Sequence, residues 1–196
     1  ILRAEQQQAQ AEQRLEKIRL DQEQRVASLM EQQELLKEQA QLVELHADMV
    51  EKALQVVNSA LDSGMDWQQL EDLVELEKVQ NRNPVALLIH KLDLEHDQMV
   101  LRLVREGALY EEESENENDE ENSDRYRDVT ISLNETAHGN AKALFAKYRA
   151  SKEKSQKTIE ASTKALEAAE ETAKRQMADA KNRKAHVAIQ SKRKPL

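Results

Sequence analysis

The stretch DVTISLNETAHGNAKALFAKYRASKEK, Asp128 to Lys154, decides how the chain is read. Val129, Ile131 and Leu133 alternate with Asp128, Thr130 and Ser132, the period of a half-buried strand. Within a few residues the pattern turns into a long charged helix. A chain that is otherwise almost all helix therefore makes one short strand directly before its second long helix. Something must pair with that strand.

The composition supports long helices rather than a large globular core. Of 196 residues, three are Gly, two Pro, 34% charged and 3% aromatic. Abundant Ala, Glu, Gln, Lys, Arg and Leu with few breakers is the composition of long helices or coiled coil. There is no Cys, which excludes a disulfide framework and any thiolate metal site. No apolar run approaches the roughly 18 residues a membrane span requires, and no signal-peptide pattern is present. A soluble, cytoplasmic chain is expected. Its first residue is Ile and its last three are Lys-Pro-Leu, so a piece of a larger protein is expected as well.

The net charge of −9 is unevenly spread. Glu111–Asp124 holds nine acids and no base. Lys142–Lys194 carries 15 Lys and Arg against six Asp and Glu, leaving an acidic first half and a basic second half.

From Val26 the first half keeps a heptad register through Leu29, Gln33, Leu36, Ala40, Val43, Ala47, Val50, Leu54, Val57 and Leu61. Sustained 3-4 spacing predicts one helix with one apolar seam. Leu15, Ile18, Gln22 and Val26 run 3-4-4, a stutter that relaxes the supercoil; residues 1–14 are polar and expected to fray. The second helix carries Phe145, Tyr148, Lys152, Ser155, Ile159, Ser162, Leu166, Ala169 and Ala173 at the same spacing. Its small seam residues suit an intramolecular antiparallel pair, and the opposite charges of the limbs favour it by only about 0–1 kcal/mol per exposed pair.

Between the limbs the signals change. Asp62-Ser63-Gly64 predicts a helix stop at Gly64. Asp66-Trp67-Gln68-Gln69 reads as a capping box opening a helix to about Gln80, and Asn83-Pro84 as cap and first residue of another. KLDLE, with Leu92 and Leu94, and QMVLRLV, with Met99, Leu101 and Leu103, alternate as strands around a turn at His96-Asp97. Three strands on a helical layer are far more stable than an isolated hairpin, so Val129–Leu133 is expected to pair with Met99–Val104. The fold class is mostly α: a long antiparallel coiled-coil hairpin, with a small α+β domain of short helices and three antiparallel strands at its tip. The expected divisions are an ascending helix over 1–45, a middle domain over 46–136 with a disordered acidic loop at 111–124, a descending helix over 137–190 and a tail over 191–196. The ends of the limbs are expected together, on the order of 65 Å from the tip at 1.5 Å per residue.

Three stretches then carry a resemblance: VEKALQVVNSALDSGMDW, NPVALLIHKLDLEHDQMVLRL, and DVTISLNETAHGNAKALFAKYRASKEKSQKTIEA with its Ala137-x-x-Asn140-Ala141 junction. Over roughly residues 20 to 190 the chain resembles the coiled-coil and middle region of the NFACT family, ribosome-associated quality-control factors. It departs from many relatives in having Leu144-Phe145 where they carry adjacent aromatics. The resemblance implies binding to the large ribosomal subunit, through rRNA and stalk-base proteins, while a stalled nascent chain is still attached. It implies contact of the tip with the E3 ligase Listerin and a parent protein engaged in C-terminal alanine and threonine tailing. Contacts with tRNA are implied for domains that this chain does not include.

Candidate residues follow from these expectations. Trp67 and the Arg82-Asn83-Pro84 loop are candidates for Listerin contact at the tip, because Trp and Arg are over-represented in interface hot spots. The alternative for Trp67 is a staple packing the short helix onto the hairpin. Lys147, Arg149, Lys152, Lys154 and Lys157 are candidates for rRNA phosphate contact, which needs cation density and no base readout. Their alternative is a helix face balanced by the acidic limb. Ser114, followed by Glu115 and Glu117, is a weak acidic-directed phosphorylation pattern.

The histidines at 46, 90, 96, 138 and 186 lack metal-ligand spacing, although His90 and His96 can share a strand face with Leu92 and Leu94. No phosphate loop, G-x-S-x-G or Cys nucleophile is present, so no catalytic residue, cofactor or metal is expected. Two other readings stay open: a coiled-coil spacer or parallel homodimer without a ribosomal role, and a fragment of a nucleic-acid-handling enzyme. The hairpin reading predicts a monomer.

Overall fold

The structure is a computed structural model and describes residues 2–109 and 125–191. The acidic segment 111–124 and the last five residues, including the expectations placed on them, lie outside the described residues.

The chain is mostly α with one small antiparallel sheet, as the patterning predicts. Helix α1 spans Leu2–Leu45, α2 Ala47–Asp62, α3 Trp67–Val79 and α4 Pro84–Leu88. Strand β1 (Ile89–Asp93) follows directly, then β2 (Gln98–Val104), β3 (Tyr126–Ser132) and the long helix α5 (Ala137–Ser191). Two compact units are distinguished. One is formed by residues 33–150; the other by residues 1–32 with 151–196.

In the second of these units α1 and α5 run antiparallel, with Arg19 bonded to Glu170 at 2.9 Å. Leu15, Gln22, Val26 and Leu29 of the expected seam are half-covered, while Ile18 is 44% exposed at the stutter. On α5, Ser155 and Ala173 are buried, and Ile159, Ser162, Leu166 and Ala169 half-buried. Lys152 does not join them. It is exposed, and Ser151 takes its place in the seam. A small hydroxyl can be covered cheaply, whereas an unpaired ammonium cannot. The Arg19–Glu170 ion pair between α1 and α5 uses an Arg from the acidic limb and a Glu from the basic one.

In the unit 33–150 every turn signal read from the sequence is in place. Gly64 ends α2 at φ +85, with its N–H on Leu61 O and the Met65 N–H on Ala60 O. Asp66 and Gln69 form the reciprocal capping box of α3. Asn83 caps α4 by accepting from Val85 N at 3.0 Å, with Pro84 in the first turn.

The first helix is not continuous, as the heptads predicted. It breaks at His46 (φ −103, ψ 21), whose Nε2 lies 2.8 Å from Val104 O at the end of β2. A carbonyl only accepts, so Nε2 carries a proton there. Leu94 also leaves the strand assigned to it: β1 ends at Asp93, and Leu94–His96 form a single 3-10 turn closed by Asp97 at φ 53. Asp tolerates that left-handed conformation better than most residues, which lets β2 start at Gln98.

The sheet order is β1-β2-β3, both pairs antiparallel. Met99 faces Ile131 and Leu101 faces Val129, the pairing expected of the strand that opened the reading. Alternate residues of β2 and β3 point one way, Met99, Leu101, Leu103, Val129 and Ile131 being buried, and a register shift between Ile89 and Lys91 lets both Ile89 and Leu92 of β1 join them. They pack on Ala40 and Val43 of α1, Val50, Ala53, Leu54 and Val57 of α2, Leu70 and Val74 of α3, and Ala137, Ala141 and Leu144 of α5. A core of small and branched residues stands in for the aromatics that are scarce in this chain.

Candidate functional site

The junction between β3 and α5 is the most highly bonded feature of the unit. Asn140 is 6% exposed, one turn into α5. Its Oδ1 accepts from Ser132 N at 2.8 Å, and its Nδ2 donates to Ser132 O and Thr136 O, both at 3.0 Å. The amide thus completes both outward backbone groups of Ser132, as a neighbouring strand would. From α2, Glu51 Oε2 accepts the Ala137 N–H at 2.8 Å, satisfying one orphan donor of the helix and placing a carboxylate at its positive end. Further along β3, Gln39 donates to Asp128 O at 3.1 Å. These side chains cover the outer edge of β3, which would otherwise be a template for pairing.

Glu38 of α1 ties the same strand at its start. Its carboxylate accepts from Arg127 Nε at 2.9 Å and from Arg105 Nε. The outward face of the sheet carries a second cluster. Arg102 bonds Asp128 through Nε at 2.9 Å, and His90 Nε2 stands 3.8 Å from the same carboxylate. The Arg102 hydrogen bond holds the Asp128 carboxyl below its ordinary range, and Asp128 in turn raises the Arg102 guanidinium. His96 meets Asp93 at 2.9 Å on the far side of the turn, so the two histidines do not converge. Among the described residues no group of three His, Cys, Asp or Glu side chains is placed to hold a metal.

The candidate tip residues do not form one patch. Trp67 is the first residue of α3 and 55% exposed; it is not a buried staple. Arg82 lies past the other end of α3, whose axis rises about 18 Å from Trp67 to Val79 at 1.5 Å per residue. Arg82 is exposed and held at φ 45, a left-handed conformation few arginines adopt. Glu77 fixes it there. One carboxylate oxygen takes Asn81 Nδ2 at 2.8 Å, the other takes Asn83 Nδ2 at 3.1 Å, and Glu77 O takes Asn83 N at 3.0 Å. Asn83 is therefore occupied as a cap and clasp, while Pro84 is exposed beside it.

Lys147, Arg149, Lys152, Lys154 and Lys157 all lie on α5 and are all exposed. None is in an ion pair among the described residues, so the balanced-face alternative gains no bond. Sequence reasoning missed the exposed apolar residues Leu73, Leu76 and Val79 on α3 and the roles of Glu38, Glu51 and Asn140. Asn140 had a signal: a polar residue at a helix position flanked by the buried Ala137 and Ala141.

No family model matches the chain. It is similar to the "Ribosome quality control complex subunit NEMF" of Mus musculus, 33% identical over 112 residues, which is 57% of this chain and 10% of that protein. The protein of the same name from Homo sapiens matches with the same identity and coverage. The chain thus aligns with about a tenth of the length of these relatives.

Proposed function

We propose that this chain is a non-catalytic part of a ribosome quality-control factor, a spacer and contact module acting on the large ribosomal subunit that carries a stalled nascent chain. The similarity to NEMF carries this reading. The NFACT-like junction supports it, because the quoted Ala137-x-x-Asn140-Ala141 residues are the ones that lock β3 to α5. In this reading Lys147, Arg149, Lys152, Lys154 and Lys157 approach rRNA phosphates, and the unit containing Trp67 and Arg82 contacts Listerin. Exposed cations suit phosphate contact, which depends on charge density and counterion release. Tailing and tRNA contact belong to the parent protein, and the setting is the cytoplasm.

The experiment is co-sedimentation of the chain with 60S subunits and with Listerin-bound subunits at several salt concentrations. Reversing Lys152, Lys154 and Lys157 to Glu should weaken association with the subunit and flatten its salt dependence by roughly 2 to 3 in log–log slope. Trp67→Ala and Arg82→Ala, tested singly because they are far apart, should weaken Listerin retention at unchanged circular dichroism. A chain that ignores ribosomes at all salts, and sediments alone as a dimer, would move the reading to a structural coiled coil.

A further inference from the structure

We propose that the outward face of α3 is a docking surface for an amphipathic helix of a partner protein, one with an apolar stripe bordered by Lys or Arg. The helix has two apolar faces. Leu70 and Val74 are buried at 1% and 8%, and they suffice to seat it on the core. Leu73, Leu76 and Val79 recur every three residues and are 39%, 46% and 78% exposed. A surface helix ordinarily needs one apolar stripe, and a helix apolar on both sides is built to be covered on both. The outer stripe has the i, i+3, i+6 spacing that a helix laid along it can match with its own i, i+3, i+4, i+7 anchors.

Charge decides what kind of partner fits. Asp72 and Glu75 run along one side of the stripe, and the one cation of α3, Lys78, is bonded to Glu75 at 2.8 Å. A phosphate backbone laid there would meet like charge, so RNA is a poor occupant. A cationic margin on an apolar helix meets the carboxylates as the stripes interlock. The surface is also held rigid before binding: the Asp66–Gln69 box fixes one end of α3, and the Glu77 clasp on Asn81 and Asn83 fixes the other. Preorganisation of that kind reduces the ordering cost of association.

The inference goes beyond the reading above, needing neither the ribosome nor Listerin, and its test uses neither. The 196-residue chain is titrated, by fluorescence anisotropy, into a labelled 14-residue amphipathic peptide of Leu and Lys. The same peptide with Glu for Lys, and an A-form RNA duplex, serve as comparisons. The Lys peptide should bind and the other two should not. Leu76→Glu should weaken it by about tenfold or more, the scale of an interface anchor. This sign is diagnostic in a chain of net charge −9, because unspecific attraction of a cationic peptide would rise when a Glu is added. Both side chains point away from the core, and Val79→Glu repeats the test if Leu76→Glu lowers the helical signal. Asp72→Asn with Glu75→Gln should flatten the salt dependence. Unchanged or tighter binding in both Glu variants overturns the proposal. So does equal binding of the Glu peptide, competition by the RNA duplex, or a self-dimer that Leu76→Glu dissolves while peptide binding persists.

Discussion

Replacing Asn140 with Ala is the sharpest test of what holds the strand to the helix. The substitution removes one acceptor and two short donors from a side chain that is 6% exposed. Thr136 O keeps its helical bond from Asn140 N at 2.9 Å, so it is not orphaned. Ser132 is: its N–H and its C=O both lose their partner. Each orphaned, partly buried backbone group costs about 1–3 kcal/mol, and Ser132 is half-buried, so a total loss of about 2–4 kcal/mol is expected. With a urea slope of about 2 kcal/mol per molar, the midpoint should fall by roughly 1–2 M. Hydrogen exchange supplies the local readout, since the Ser132 amide should lose its protection first. Asn140→Asp separates geometry from chemistry. It keeps the acceptor for Ser132 N–H but aims a carboxylate at two carbonyl oxygens. Ionisation is then penalised, and the carboxyl is expected to titrate above its unfolded value of about 3.9. A raised carboxyl contributes stability below the unfolded pKa and loses it as pH rises through the folded one. The Asp variant should therefore be weakest near neutral pH and recover on acidification. If Asn140→Ala shifts stability by less than about 0.5 kcal/mol, the amide is a passenger and the junction is held by the apolar core alone.

Ile131→Pro should cost at least about 3 kcal/mol, because a ladder donor is lost opposite Met99 at a fully buried position; retained exchange protection over 89–104 would refute the three-strand coupling. Arg102→Ala should raise the Asp128 carboxyl toward its ordinary range, seen by carboxyl-carbon NMR titration. The stability that Asp128 contributes is present above its unfolded pKa and is lost as pH falls through the depressed folded one, a small effect for an exposed pair. Gly64→Ala meets no atom within 4 Å, so its cost, about 1 kcal/mol in thermal unfolding, should come from the positive φ alone. A larger loss would place an unseen packing role at that turn.

Local signals were legible where one residue's chemistry settles one bond. Gly64, Asp66 with Gln69, and Asn83 with Pro84 each do in the structure what their side chains allow and little else. The sheet was legible for a different reason: a period of two cannot be mistaken for a helix, and three such runs need one another. The misreadings lie where two rules compete. Lys152 fits a seven-residue repeat, yet the seam of α5 follows 144, 148, 151 and 155, because burying Ser151 is cheaper than stranding an ammonium. His46 fits the heptads of a continuous helix, yet a bond to Val104 O holds its ring at the break. The His46 bond cannot be foreseen until the sheet is in place.

Only half of what α3 does is legible in its sequence. Six of its thirteen residues are apolar, and a periodicity count places Leu70, Leu73, Val74 and Leu76 on a helix without saying how much core awaits them. α3 lies against α4 and α2, and of its apolar residues Leu70 and Val74 are the ones buried there. The supply of apolar surface on α3 exceeds what this unit can cover. That surplus is a property of the packed structure, so no reading of α3 in isolation reaches it. It also separates the two kinds of candidate contact by chemistry: exposed cations on α5 suit phosphate, and an acid-bordered apolar stripe on α3 suits protein.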